Sequence, residues 1–526
     1  MGGQTLDVID EVRRYSPREL EWLVCQYSGA DKTVIRDKTH AGYLVEYFKD
    51  IGIGTIVAER PYTDKSYIED HAKYLLRCFR DIPKTCARLH FFADIPGVTL
   101  DRKYINDIIS QGIAQQASQY QALQDAYRGF MVIRPLARTI IGNTCLAVRT
   151  PTAGTCHIPV TRDYKVNLSG IPLSVKSLAF QEQDTILSAC ATSALWSSFH
   201  ATGKLFQHEI PSPSAITERA ASRSAQGVRL FPNRGLSTEE VACAIQSIGL
   251  EAERINCREP YFLKMAVRAY LSLGIPPILV GKLVPANGHA LPRDGFHAVA
   301  VTGYGCGTEP PPLPAKGRGQ RQHIPFVADG IDQLFVHDDQ VGPFADMTFA
   351  TDPHNEGRLK TQWLDKAVSA QGAGSGPVFF EPLYLLAPLY HKIRIPLTAI
   401  HPYVSGLHAA LKERQVQKAL GQSPLWWDLR LTTSNEMKTE LIKAAQRCDD
   451  ALAFLRRPCP RFLWRATLYL DGCPAWDTLF DATDIEQTNS MFASICHDDR
   501  VQRPANTLNE ALNATPRQRR RQATAS

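Results

Sequence analysis

Apolar residues recur with two different periods in the middle of the chain. Within residues 181–200, small and apolar side chains recur at i, i+3, i+4 and i+7, which predicts a helix that packs closely into a core. This stripe consists of Ala191, Ala194, Leu195 and Ser198. Residues 278–284 and 297–304 are β-branched and apolar runs bounded by Pro and Gly, and they predict two strands of one sheet. Residues 333–338 predict a third, short strand.

The flanking segments have patterns of their own. Towards the N-terminus the predicted strands are 54–62, 87–92, 129–136 and 144–150, and the predicted helices are 64–79 and 101–128. Towards the C-terminus we predict a helix over 405–420 ending at Gly421, a helix from the capping box Thr433–Glu436 to Pro458, and a strand over 461–470 ending in the hairpin signal Asp471–Gly472.

We therefore predict an α+β chain in four parts. They are an N-terminal α/β region of unknown role (1–165), a central domain (166–350), a C-terminal α+β region (351–505) and a basic disordered tail (506–526). The central domain contains a Pro-, Gly- and Arg/Lys-rich insertion over 306–323, which we expect to be an exposed loop sensitive to trypsin.

Cys190 stands where the predicted central helix begins. Backbone N–H groups at a helix N-terminus stabilise a thiolate, the form of cysteine that attacks a carbonyl carbon. Gln183 lies upstream, and its side-chain amide could donate one hydrogen bond to an oxyanion while the Cys190 backbone N–H donates another. Taken alone, this segment is equally typical of a small buried cysteine.

A histidine and two acids supply the other groups that nucleophilic catalysis needs. His297 opens the second predicted strand, where a neutral imidazole could serve as general base to the thiol. Asp338 ends the third strand and could accept a hydrogen bond from His297 Nδ1, with Asp339 as the alternative. Read separately, the histidine is typical of a strand end and the acids of a solvated turn.

In order, Gln183, Cys190, His297 and Asp338 resemble the catalytic set of the papain-like cysteine peptidase superfamily. The likeness is greatest to the bacterial peptidases that process double-glycine leader peptides and to their cytosolic relatives. It covers roughly residues 170–345. It implies a papain-like domain in which a central nucleophile helix packs on an antiparallel sheet, and a Cys-His-Asp triad that acts on a peptide or protein substrate.

Two positions depart from the family pattern. Those families usually place Gly after the nucleophile, whereas this chain has Ala191. Papain-like enzymes also usually place the glutamine six residues before the cysteine, where this chain has Asp184. Gln183 then requires one extra residue in the turn, and Gln181 is the alternative.

Composition is that of an ordinary globular protein, with 44% hydrophobic and 21% charged residues. No apolar run reaches the roughly 18 residues that span a bilayer, and the first residues lack an apolar signal core, so we expect a cytoplasmic protein without membrane contact. Thirteen cysteines without a C-x-x-C spacing argue against a zinc site and a disulfide framework. No phosphate-binding glycine loop occurs either, so we predict no metal and no cofactor.

The net charge of +6 comes largely from the end of the chain. Four arginines stand there, Arg517, Arg519, Arg520 and Arg521, and the rest is nearly balanced. We therefore expect no nucleic-acid partner beyond contacts of this basic tail, and the sequence leaves the oligomeric state open.

The sequence thus predicts a cysteine-dependent amide hydrolase, a peptidase or isopeptidase, that acts through a Cys190 thioester. Two alternatives remain. A papain-like acyltransferase would pass the acyl group to an amine or thiol, and a catalytically inactive papain-like domain would act as a binding module.

Overall fold

A computed structural model of the chain describes residues 8–149, 155–183, 190–221, 235–286, 295–307, 323–364, 377–421, 423–444, 448–486 and 491–513. Helices and strands are both abundant, and the chain is α+β as predicted. Three antiparallel sheets and one separate hairpin account for the strands named below.

The first sheet has the order β1-β2-β3-β4-β5. Its strands are β1 Ile9–Arg14, β2 Ile53–Tyr62, β3 Cys86–Ala93, β4 Tyr127–Ile133 and β5 Ile141–Leu146. The helices around it are α1 Pro17–Ser28, α2 Lys32–Arg36, α3 Thr39–Asp50, α4 Lys65–Lys73, α5 Arg102–Gln111 and α6 Ala117–Ala126. The helix predicted over 101–128 is two helices, because Gly112 ends α5 with a φ of +85°.

Every strand pair in this sheet is antiparallel, so the α/β prediction for this region was wrong and the region is α+β. The helices predicted between the strands do exist. However, a helical connection of this length can return the chain in either direction, and the sequence pattern does not distinguish the two.

A short strand and a hairpin follow, namely β6 Thr155–His157, β7 Arg162–Leu168 and β8 Ile171–Ser177. After the hairpin the chain pairs again with the first sheet, because the backbone of Phe180 exchanges hydrogen bonds of 2.8 and 2.9 Å with Thr144 on β5. Residues 180–183 therefore leave directly from the edge of the N-terminal sheet.

The central sheet closes on itself. Strands β10 to β15 pair in sequence order, and β10 also pairs with β15, which gives a six-stranded antiparallel barrel. The strands are β10 Ile278–Pro285, β11 Phe296–Cys306, β12 Ile331–Asp338, β13 Gly342–Phe349, β14 Leu359–Leu364 and β15 Pro377–Tyr390. Strand β9, Leu250–Asn256, extends the sheet from β15, and β6 pairs with β11.

Four helices accompany the barrel, α7 Cys190–Phe206, α8 Pro213–Ala221, α9 Thr238–Ser247 and α10 Pro260–Leu271. Helix α7 packs against β10, β11, β12 and β15. Residues 191–199 are all buried, because α7 also contacts α8 and α9 and small side chains such as Ala191 and Ala194 allow close packing.

The C-terminal region has the sheet order β16-β17-β18-β19. Its strands are β16 Trp426–Thr433, β17 Phe462–Leu470, β18 Cys473–Asp481 and β19 Met491–Cys496, and its helices are α11 Leu397–Leu411, α12 Arg414–Leu420, α13 Ser434–Lys443, α14 Asp449–Arg456 and α15 Asp499–Asn513. Asp471 and Gly472 both have positive φ and form the predicted hairpin turn. The capping box of Thr433 and Glu436 is also present.

One continuous hydrophobic core runs through all three regions. A bidentate ion pair adds to it, since Arg268 on α10 donates to both carboxylate oxygens of Asp428 on β16 at 2.6 and 2.9 Å. Asp428 is only 1% exposed, so this pair ties the C-terminal sheet to the helices of the barrel.

Some sequence predictions concern residues at or beyond the limits of the described chain. The insertion predicted over 306–323 falls mostly on residues 308–322, which lie outside the described residues. Helix α15 continues to Asn513, eight residues into the segment predicted as a tail, and the rest of that segment is not described.

All thirteen cysteines lie in described parts and none forms a disulfide. Within the described residues, no helix has both the length and the apolar character to cross a bilayer.

Candidate functional site

Cys190 is the first residue of helix α7 as described, and its side chain is partly exposed. Residues 191–199 behind it are buried, so the thiol is the accessible group in the first turns of this helix. Residues 184–189, which precede it, lie outside the described part of the chain.

His297 lies between the thiol and a carboxylate. Its ring is 4% exposed and hydrogen-bonds the Cys190 side chain, while Nε2 is 3.1 Å from Asp338 Oδ1. The prediction that Nδ1 would face the acid was therefore wrong. His297 lies three residues before Ala300, which pairs with His337 on β12, so its ring reaches diagonally to the end of β12 and meets Asp338 through Nε2.

The electrostatics of this pair favour the charged forms. Burial by itself lowers the pKa of His297, but the negative charge of Asp338 and the hydrogen bonds to Asp338 and Cys190 outweigh it and hold the pKa well above its ordinary value. Burial also acts to raise the pKa of Asp338, yet His297 and the hydrogen bonds that the carboxylate accepts keep it below its ordinary value. The surroundings therefore stabilise a proton on His297 once the imidazole has accepted it.

Three groups contact the Asp338 carboxylate, and both of its oxygens accept hydrogen bonds. Besides His297, Oδ1 accepts a hydrogen bond from the Gln340 backbone N–H at 3.0 Å, and Oδ2 accepts one from Trp363 Nε1 at 2.8 Å. The Trp363 ring also meets the His297 ring edge to face, with centroids 5.1 Å apart. Trp363 therefore orients the carboxylate and covers the imidazole at the same time.

Asp339 is a second buried acid beside the same histidine. Its Oδ1 lies 3.9 Å from His297 Nε2 and accepts no hydrogen bond from the described residues, while Oδ2 accepts one from Gln340 Nε2 at 2.9 Å. Burial and the charge of Asp338 together raise the pKa of Asp339. The geometry therefore favours Asp338 as the group that orients His297.

Gln183 lies on the acid side of the site. Its Oε1 is 3.5 Å from Gln340 Nε2, a long hydrogen bond that leaves the Gln183 amide nitrogen free of this contact. Gln181, the alternative, is buried. The segment that would relate either glutamine to Cys190 is not described, so the assignment of Gln183 stays a prediction.

Three possible metal ligands meet at this place. The ligand atoms of His297, Asp338 and Asp339 lie within 4.8 Å of one another, the single cluster of this kind in the described ranges. Nε2 and Oδ1 of the first two residues are already hydrogen-bonded to each other. A metal ion would have to replace that hydrogen bond.

Sequence reasoning missed three residues that shape the site. Trp363 on β14 and Gln340 in the turn after β12 carry no local motif, and only pairing of their strands brings them to Asp338. The third is His40, whose Nε2 is 3.0 Å from the Asp339 carbonyl oxygen. It is 299 residues away in sequence, and no signal in the chain could have indicated the contact.

Comparison with known proteins adds no family or relative. No protein-family model matches the chain, and no curated protein matches it.

Proposed function

We propose that this chain is a cysteine-dependent amide hydrolase, a peptidase or isopeptidase, whose central domain works in the papain-like manner. One observation carries the proposal. The buried imidazole ring of His297 contacts both the Cys190 thiol and the Asp338 carboxylate. An unrelated buried histidine has no reason to join a partly exposed thiol in the first turn of a helix to a buried carboxylate that two further groups hold in place.

The proposed reaction uses each of these groups once. The thiol proton passes to His297, and the Asp338 carboxylate stabilises the resulting imidazolium. The Cys190 thiolate attacks the carbonyl carbon of the substrate, and the imidazolium then protonates the leaving amine as the C–N bond breaks. Water, deprotonated by His297, hydrolyses the thioester and restores the thiol.

Stabilisation of the oxyanion is assigned to two donors. They are the Cys190 backbone N–H and the side-chain amide of Gln183, whose oxygen is turned to Gln340. Because the reaction is the same up to the thioester, an acyltransferase would use the same residues and would differ only in the acceptor.

Selective alkylation tests the proposal. At pH 6 an ordinary thiol is almost wholly protonated, so iodoacetamide should label Cys190 far faster than the other cysteines, as measured by peptide mass spectrometry. Cys78 and Cys473 are internal controls, because both are more exposed than Cys190. Labelling of Cys190 at or below their rate would contradict the proposal and favour an inactive binding module, and a His297→Gln variant should abolish the selectivity.

A further inference from the structure

Helix α3 of the N-terminal region contacts the turn that carries both acids. The His40 ring is 3% exposed, and its Nε2 donates a hydrogen bond to the Asp339 carbonyl oxygen at 3.0 Å. Three residues on, the Tyr43 hydroxyl donates to the Pro343 carbonyl oxygen at 2.5 Å. Two adjacent side chains of α3 thus hold the two ends of the turn 339–343.

The contact is close as well as polar. A Cβ atom on Gly342 would lie 2.3 Å from two atoms of the Tyr43 ring, so the ring rests directly on the backbone of the turn. Because an acceptor carbonyl faces His40 Nε2, that nitrogen must carry the proton. Burial also lowers the pKa of His40, which keeps the ring neutral and able to donate in this way.

The same region also holds the segment that leads to Gln183. Lys38, at the start of α3, forms an ion pair with buried Glu182, whose other oxygen accepts the backbone N–H groups of Ile140 and Ile141 at 2.8 and 3.0 Å. Arg134 donates to the Glu182 carbonyl oxygen at 3.0 Å. The N-terminal region therefore fixes both sides of the candidate site.

We propose that His40 and Tyr43 are positioning residues, and that the N-terminal region completes the active centre by holding Asp338 at hydrogen-bonding distance from His297. The inference rests on the function proposed above, since it assumes that Asp338 stabilises the imidazolium. Neither residue touches the reacting atoms. Both act through the backbone of the turn, where a displacement of about 1 Å is enough to lower a rate about a hundredfold.

Helix α4 offers a matched control in the same region. His71 Nε2 lies 2.8 Å from the Ile82 carbonyl oxygen, and the Tyr67 hydroxyl donates to the Pro83 carbonyl oxygen at 2.8 Å. Both side chains are as buried as His40 and Tyr43. They make the same two kinds of contact, from a histidine and a tyrosine to loop carbonyl groups, but these carbonyl groups belong to Ile82 and Pro83 and not to the acid turn.

The experiment measures the pH profile of Cys190 alkylation in the full chain, over about pH 5 to 9. Variants His40→Ala and Tyr43→Phe should lower the rate at pH 6 at least about tenfold and shift the profile towards that of an ordinary thiol. His40→Gln keeps a donor and should restore most of the rate. His71→Ala and Tyr67→Phe should leave the profile unchanged.

Each outcome supports or overturns the inference. If the α3 and α4 variants have equal effects, or if His40→Gln is as impaired as His40→Ala, the contact is merely structural and the inference is wrong. If wild-type Cys190 is not selectively labelled at all, the proposed function itself fails. Should His40→Ala not fold, Tyr43→Phe, which removes a single oxygen, decides the question.

Discussion

Replacing Asp338 with Asn tests the site most directly, because the carboxylate receives donors on both oxygens. Oδ1 faces His297 Nε2 and the Gln340 N–H, and Oδ2 faces Trp363 Nε1. An amide has one oxygen only. Its NH₂ group must therefore point either at the Trp363 N–H or at His297, where it would force the tautomer that cannot accept the thiol proton.

The expected cost follows from these contacts. Exchanging a charged for a neutral acceptor at His297 costs about 1–2 kcal/mol, and one buried donor left without an acceptor costs about 1–3 kcal/mol. Together, at about 2–5 kcal/mol, they predict that the rate of Cys190 labelling by an electrophilic peptide probe falls about 30- to 5,000-fold. Asp339→Asn should lower it less than about fivefold, since Asp339 Oδ1 is 3.9 Å from the ring.

A second substitution separates the two costs. Trp363→Phe removes the donor to Oδ2, so the amide that replaces the Asp338 carboxylate could turn its oxygen to His297 without conflict. The double variant Asp338→Asn/Trp363→Phe should then react about tenfold faster than Asp338→Asn alone, a coupling that a double-mutant cycle measures. If Asp339→Asn shows the larger loss, or if the second substitution only adds to the first, the assigned roles are wrong.

Three further predictions concern stability and are read from urea unfolding. Gly342→Ala should destabilise the fold by about 1–3 kcal/mol, because the added methyl group meets the Tyr43 ring. An unchanged free energy of unfolding would show that helix α3 shifts to make room for the methyl group. Arg268→Met should lower the free energy of unfolding by about 3 kcal/mol, because it leaves the buried Asp428 carboxylate without its bidentate partner. The double variant Arg268→Met/Asp428→Leu should recover most of this loss. No recovery would mean that the pair itself is net stabilising. Burial lowers the pKa of His337 to about 3, so the unfolded chain binds a proton there at a higher pH than the folded one. This contribution to stability is complete above about pH 6.5 and is lost as the pH falls towards 3. The free energy of unfolding should therefore decline less between about pH 6.5 and 4.5 in His337→Leu than in the wild type. An equal decline would contradict the assignment.

The local patterns that the sequence displays correspond to the elements that form. The small-residue stripe after Cys190 is a buried helix, and the β-branched run that begins near His297 is a barrel strand. Asp471–Gly472 turns a hairpin, because such a turn needs positive φ at both residues and Asp and Gly can adopt it. Each of these features depends on residues within a few positions of one another, and so the chain determines them locally.

Such local patterns did not predict the direction of the strands or their register. The N-terminal strands are antiparallel although helices separate them, and the six central strands close into a barrel only because β15 returns to β10. The meeting of His297 with Asp338 also depends on strand register, since a shift by one residue would turn the side chain to the other face.

The sequence by itself determined which chemical groups the site contains, namely a thiol at a helix start, an imidazole at a strand start and an acid at a strand end. Only the tertiary structure decided that Asp338 rather than Asp339 meets the imidazole, that Trp363 covers it, and that His40 supports the turn from 299 residues away. The physical reason is that propensity and periodicity act over a few residues, whereas a site is assembled by packing between segments whose separation along the chain carries no information about their distance in space.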